Sequence, residues 1–160
     1  MLHVGSPSVS DLLGPGRVCV GLPGKTKDEI IEGVVALLRG APAVRDLEQL
    51  RDDVRQREEV MSTGVGKGLA LPHARTAAVT DTVAAFAITT HPVDYGALDG
   101  EPVRLVFLAA GPEEERGAHV RLLSRISRLM SDDAFRARLL AARSEAEILA
   151  AFRAAEEHLG

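Results

Sequence analysis

Apolar residues recur along this chain with two different periods, which predict helices toward both ends and a β-rich middle. After a start punctuated by glycine and proline, Arg17-Val18-Cys19-Val20 is a short β-prone run closed by Gly21, Pro23 and Gly24. Thr26 and Glu29 have capping-box spacing, and Ile30, Ile31, Val34, Val35, Leu37 and Leu38 then share one face of a 3.6-residue period. A helix is predicted to about Arg39, ended by Gly40 and Pro42. Val44, Leu47, Leu50 and Val54 continue as the narrower stripe of a second helix, whose charged opposite face reads as solvated surface.

Between Met61 and His73 the pattern changes. Gly64, Gly66 and Gly68 precede an alternating Leu69-Ala70-Leu71, so a loop feeds a strand that Pro72 must end or confine to an edge, with His73 at the strand end. Val83 to Thr89 and Val103 to Ala109 read as two neighbouring strands, joined through turn residues that include Gly96 and Asp99-Gly100. Beyond Gly111-Pro112, Leu122, Leu123, Ile126, Leu129 and Met130 form a helical stripe, with Leu139 and Leu140 on the following segment. Ser144 and Glu147 repeat the capping-box spacing before a last helix that buries Ile148, Leu149 and Phe152. Helices on either side of a group of strands predict an α/β layered domain.

Composition narrows the classes of function. With 160 residues, 46% hydrophobic and 26% charged, the chain is expected to fold as one domain with its own core. A net charge of -4 and an aromatic content of 3% supply neither the electrostatic footprint nor the stacking platforms of a nucleic-acid binder. Cys19 is the only cysteine, so it is read as a core residue in a chain suited to a reducing cytoplasm. No apolar run reaches the length of a signal peptide or a membrane span, so a cytoplasmic location without membrane insertion is expected.

The candidate chemistry lies in Ser62-Thr63-Gly64-Val65-Gly66-Lys67-Gly68-Leu69-Ala70-Leu71-Pro72-His73-Ala74-Arg75, where a donor-rich loop and a strand converge on one imidazole. Glycine N–H groups, the Ser62 and Thr63 hydroxyls, and the cations Lys67 and Arg75 are groups that stabilise a phosphoryl oxygen. A neutral imidazole keeps a lone pair on one nitrogen and needs no separate base to accept a phosphoryl group. Taken alone, a histidine after proline is more often structural than nucleophilic. The loop also lacks the Gly-Lys-Ser/Thr ending of a nucleotide-binding P-loop, since Gly68 and Leu69 follow Lys67.

STGVGKGLALPHAR is similar to the signature around the phosphorylated histidine of the fructose/mannitol-type IIA domains of the bacterial sugar phosphotransferase system, usually of the form STGIGNGIAIPH. KTKDEIIEGVVALL resembles that family's first helix and REEVMSTG its approach to the site. PVDYGALDGEPVRLVFLAAGP resembles its central strand pair and HVRLLSRISRLMSDDAFRARLL the helical segment that follows, so the likeness runs from about residue 10 to 153. Lys67 stands where asparagine is common, and leucine replaces isoleucine on both sides of Ala70.

The resemblance implies an α/β sandwich, a mixed central sheet with helices on both sides, and a single phosphocarrier domain over residues 1–160. It implies that His73 accepts the phosphoryl group from the carrier protein HPr and passes it to a IIB component, with no metal or organic cofactor. His119 matches a second family histidine that would hydrogen-bond the phosphoryl group or hold His73, and Arg57 matches an arginine that would neutralise its oxygens. Ser62, Thr63, Gly64 and Gly66 would line the phosphoryl site. The same resemblance leaves open a nitrogen-regulatory or other signalling protein that controls partners through its phosphorylation state. Two weaker alternatives are an interaction module that is never phosphorylated and a metal site on His73 and His119, which lacks a carboxylate or thiolate partner. His3, His91 and His158 read as surface residues, and Glu113-Glu114-Glu115 as a solvated loop.

Overall fold

A computed structural model of the chain describes residues 8–159, so His3 lies outside the described residues. Its elements are α1 (Val9–Leu12), β1 (Val18–Leu22), α2 (Lys27–Ala36), α3 (Leu47–Val60), β2 (Gly64–Gly66), β3 (Leu69–Ala70), β4 (His73–Arg75), β5 (Val83–Val93), β6 (Val103–Gly111), α4 (Arg116–Met130), α5 (Asp133–Leu140) and α6 (Glu145–Leu159). The sheet runs β1-β5-β6-β3-β2, with β4 also paired to β6. Strands β5 and β6 are antiparallel at its centre, β1 is parallel to β5, and β3 and β4 are parallel to β6. It is a mixed sheet with helices on both faces.

Period-two alternation on β5 and β6 feeds two separate cores. Ala85, Ala87, Val106 and Leu108 point into a layer shared with Ile30, Ile31, Val34 and Val35 of α2 and Leu50 and Val54 of α3. Phe86, Ile88, Leu105 and Phe107 point the other way, against α1, α4, α5 and α6. All four phenylalanines of the chain meet there, with Phe152 of α6 edge-on to Phe86 and Phe135 at ring-centroid distances of 5.2 Å each.

Both expected N-caps form, and the Glu29 and Glu147 carboxylates reach back to the N–H groups of Lys25 and Arg143, one residue before each cap. The Thr26 hydroxyl accepts from Glu29 N–H at 3.2 Å and the Ser144 hydroxyl from Glu147 N–H at 3.1 Å. Four details depart from the sequence reading. Helix α2 ends at Ala36 and gives way to turns before Gly40. Val44 is outside any helix: it bridges Val79, and α3 begins after the Asp46 cap. The glycine-punctuated start holds the short helix α1, whose Val9 and Ser10 N–H groups donate to Glu156 of α6 at 2.7 and 2.9 Å. His91, expected in a loop, lies within β5, although it is exposed as expected. Cys19 is half-buried and packs against the α2–α3 core.

Candidate functional site

The signature segment folds as two short strands because Pro72 interrupts one. Leu69–Ala70 pairs with Leu105–Val106, His73–Arg75 pairs with Ala109–Gly111, and the Pro72 carbonyl between them accepts from Ala109 N–H at 3.1 Å. The break frees the Leu71 carbonyl, which lies 2.8 Å from His73 Nδ1. A carbonyl can only accept, so Nδ1 carries the proton and Nε2 keeps the lone pair. His73 therefore opens an edge strand, half-buried, with its tautomer set by the backbone.

His119 is brought to it from the first turns of α4. The two ring centroids are 5.6 Å apart, and His119 is 5% exposed with neither ring nitrogen hydrogen-bonded among the described residues. Burial, then the neighbouring His73, then Arg75 push its pKa down to about 4. Burial also lowers the pKa of His73 and the Arg57 charge adds to this, against opposing effects from the Leu71 carbonyl and Glu58. Both imidazoles are thus held neutral at physiological pH. Because the folded His119 ring binds a proton less tightly than the unfolded one, acidification from about pH 6.5 toward 4 favours unfolding, by about 3 kcal/mol for this group. Urea titrations at pH 7 and 4.5 should show this acid loss in the wild type and a smaller one in His119→Gln.

Arg57 sits in the last turn of α3, half-buried, where its Nη1 donates to the Met61 carbonyl at 3.0 Å. The residues expected to line an anion site have other bonds in the structure. The Ser62 hydroxyl donates to the Tyr95 carbonyl at 3.3 Å and accepts from Gly64 N–H at 3.1 Å. Thr63 is buried, with its hydroxyl bonded to Glu58 and Tyr95 and its N–H donating to Glu58 at 2.8 Å. Gly64 is packed so closely that a Cβ there would come 2.9 Å from Ala97 Cα. Gly66 ends β2 at φ 102°, and the β2–β3 hairpin turns at Lys67 and Gly68, where Lys67 adopts φ 57°, a left-handed conformation that asparagine tolerates better than lysine. The Lys67 N–H donates to Asp99 at 2.9 Å while its side chain stays exposed.

Sequence reasoning passed over Glu58, the centre of this loop's anchorage. It accepts from Thr63 N–H, the Thr63 hydroxyl, the Tyr95 hydroxyl at 3.1 Å and Lys27 Nζ at 2.6 Å, and Lys27 also lies 4.7 Å above the Tyr95 ring. A signal was present: Glu58 occupies the next position of the Leu47, Leu50 and Val54 stripe, where an apolar residue belongs. Among the described residues no group of three or more His, Cys, Asp or Glu side chains could hold a metal ion, so the two histidines have no third ligand of these types. No described helix is long and apolar enough to cross a membrane.

Comparison with known proteins adds to this geometry. Residues 11–155 match the family described as "Phosphoenolpyruvate-dependent sugar phosphotransferase system, EIIA 2". The chain is 36% identical over 141 residues to the fructose-specific EIIABC component of Bacillus subtilis, covering 88% of this chain but only 22% of that protein. It superposes on the crystal structure of the nitrogen regulatory protein IIA-Ntr of Neisseria meningitidis with a TM-score of 0.83 and 30% identity, covering 90% of this chain and 98% of the other. It shares its fold with the mannitol IIA of Escherichia coli, solved in complex with phosphorylated IIB, at a TM-score of 0.76 and 23% identity, covering 89% and 97% of the two chains.

Proposed function

The chain belongs to the EIIA 2 family of the phosphoenolpyruvate-dependent sugar phosphotransferase system, and we propose that it is a phosphocarrier that accepts a phosphoryl group on Nε2 of His73. The donor is an HPr-like phosphohistidine protein and the acceptor a IIB component. The observation that carries this reading is the 2.8 Å contact from His73 Nδ1 to the Leu71 carbonyl, which leaves Nε2 unprotonated on a half-buried, neutral ring.

In the forward step the Nε2 lone pair attacks phosphorus, the donor's P–N bond breaks, and its electron pair returns to the donor imidazole. His73 keeps its Nδ1 proton, so positive charge develops on the ring as the bond forms, and the Leu71 carbonyl stabilises it through a charge-assisted hydrogen bond. His119, neutral and without a hydrogen-bond partner, offers an N–H to a phosphoryl oxygen; a buried donor left unpaired costs about 1–3 kcal/mol, so phosphorylation relieves that cost. Arg57 exchanges or shares its Met61 bond to neutralise the oxygens. Ser62, Thr63, Gly64 and Gly66 then serve chiefly to shape the loop beside the ring. In-line transfer between positioned nucleophiles needs orientation and charge stabilisation, and no cofactor takes part.

Within the family the carrier feeds sugar uptake through IIB, as the fructose-specific relative suggests. The likeness to IIA-Ntr over nearly its whole length supports a regulatory role as the second reading. Exchange with HPr implies a cytoplasmic protein, and residues 1–160 act as one domain. The test is incubation with phosphoenolpyruvate, enzyme I and HPr, followed by mapping of acid-labile phosphate and chase with a IIB protein. Stoichiometric label at His73 that moves to IIB is the expected result; no label would overturn the carrier reading, and label that IIB does not discharge would favour regulation.

A further inference from the structure

We infer that Arg75 is a second cationic clamp on the phosphoryl group at His73, acting from the strand side while Arg57 acts from α3. The inference rests on the phosphocarrier reading and extends it to a residue with no role in the scheme above. Strand β4 is three residues long, with His73 half-buried, Ala74 buried and Arg75 exposed. Alternation along a strand puts residues i and i+2 on the same face, roughly 7 Å apart, so the Arg75 side chain leaves the backbone on the His73 side. Arg75 pairs with Gly111 of β6, and a Cβ on Gly111 would lie 3.7 Å from His119 Nδ1. His73, His119 and Arg75 therefore share one corner of the sheet, and Arg75 also lines a groove with Arg57, Thr76 and Asp53.

The state of these two charges differs from that of the other arginines of α3. On α3, Arg51 and Arg55 pair with acidic residues of α2. Among the described residues neither Arg57 nor Arg75 has a carboxylate within ion-pair distance; each donates to a backbone carbonyl, Met61 at 3.0 Å and Glu113 at 3.3 Å. Of the two acidic residues lining their groove, Asp53 is bonded to the Thr76 hydroxyl and to Gln49 Nε2 at 2.8 Å, and Glu113 meets Arg75 only through its backbone carbonyl. Arg57 is thus near enough for its charge to act on His73 and Arg75 near enough to act on His119, each with most of its donors unspent and ready for the oxygens of a dianion.

Phosphoramidate, a small donor that needs no protein docking, tests this directly. The Nε2 lone pair forms the N–P bond, the P–N bond of phosphoramidate breaks, and ammonia leaves with that electron pair. Labelling of His73 in the full chain should slow about 10- to 100-fold in Arg75→Ala and recover in part in Arg75→Lys, while Arg39→Ala, an exposed charge on the α2–α3 connection, matches wild type. Unchanged labelling of Arg75→Ala by phosphoramidate overturns the clamp, and a defect seen only with HPr as donor would make Arg75 a docking contact instead. If wild type is labelled by neither donor, the carrier reading itself fails; if it is labelled and Arg75→Ala behaves normally, only the clamp does. Because Arg75 is exposed, urea denaturation should show the variant folded as wild type.

Discussion

His73→Gln should lose phosphoryl uptake from HPr by more than about 10³-fold while remaining folded, the largest effect expected of any single substitution in this chain. Glutamine keeps a polar side chain of similar reach but has no nitrogen lone pair with which to attack phosphorus. His119 cannot take over, because its ring is 5% exposed. His119→Ala is the informative companion. It removes an unpaired buried group and the proposed donor to the phosphoryl oxygens, so the variant should still be labelled on His73 but pass the group on poorly. A normal transfer rate in His119→Ala would remove it from the mechanism. Acid-labile counts per protein, followed over time with enzyme I and HPr in excess, distinguish the two variants.

How much of this was readable beforehand depended on whether a residue's partners lie nearby in sequence. The N-caps at Thr26 and Ser144 use contacts three residues apart and were legible. So were β5 and β6, whose continuous apolar runs reflect burial on both faces. Val44 instead followed a helical stripe on paper but pairs with Val79, and α1 owes its N–H partners to a carboxylate 147 residues from Val9. His91 and Pro92 stay in β5 because they fall beyond the last residue paired with β1, in an irregular stretch between Ile88 and Val93 where a missing N–H costs little. His73 stood out from the glycine-rich segment before the resemblance gave it a role, His119 came through the resemblance, and their approach to 5.6 Å could not be read from a separation of 46 positions. Hydroxyls that looked available to an anion, on Ser62 and Thr63, turned out to hold the loop together.

That loop makes the second large prediction, Glu58→Ala. The carboxylate is buried and ionised: burial alone would raise its pKa, but hydrogen bonds from Lys27 and Thr63 outweigh that and hold it below the usual carboxylate range. Removing it leaves the Thr63 N–H, the Thr63 hydroxyl and the Tyr95 hydroxyl without their acceptor, and Lys27 without its counter-charge. Lys27, 29% exposed, regains water, but buried donors left unpaired cost about 1–3 kcal/mol each, so the loss should reach about 3–5 kcal/mol, a large share of the roughly 5–15 kcal/mol that holds a domain of this size. The urea midpoint should fall by roughly 2 M. Glu58→Gln keeps the acceptor for Thr63 N–H and should fall by less, and Lys27→Met, which leaves the buried carboxylate its hydrogen bonds from Thr63 and Tyr95 but no counter-charge, should lie between the two. Thr63 feeds directly into the loop, its carbonyl accepting from Leu71 N–H at 2.9 Å, and Leu71 in turn sets the His73 tautomer. The Glu58→Gln variant should therefore lose phosphoryl-transfer rate out of proportion to its lost stability when assayed well below its unfolding midpoint. Equal losses would make Glu58 a stability residue alone.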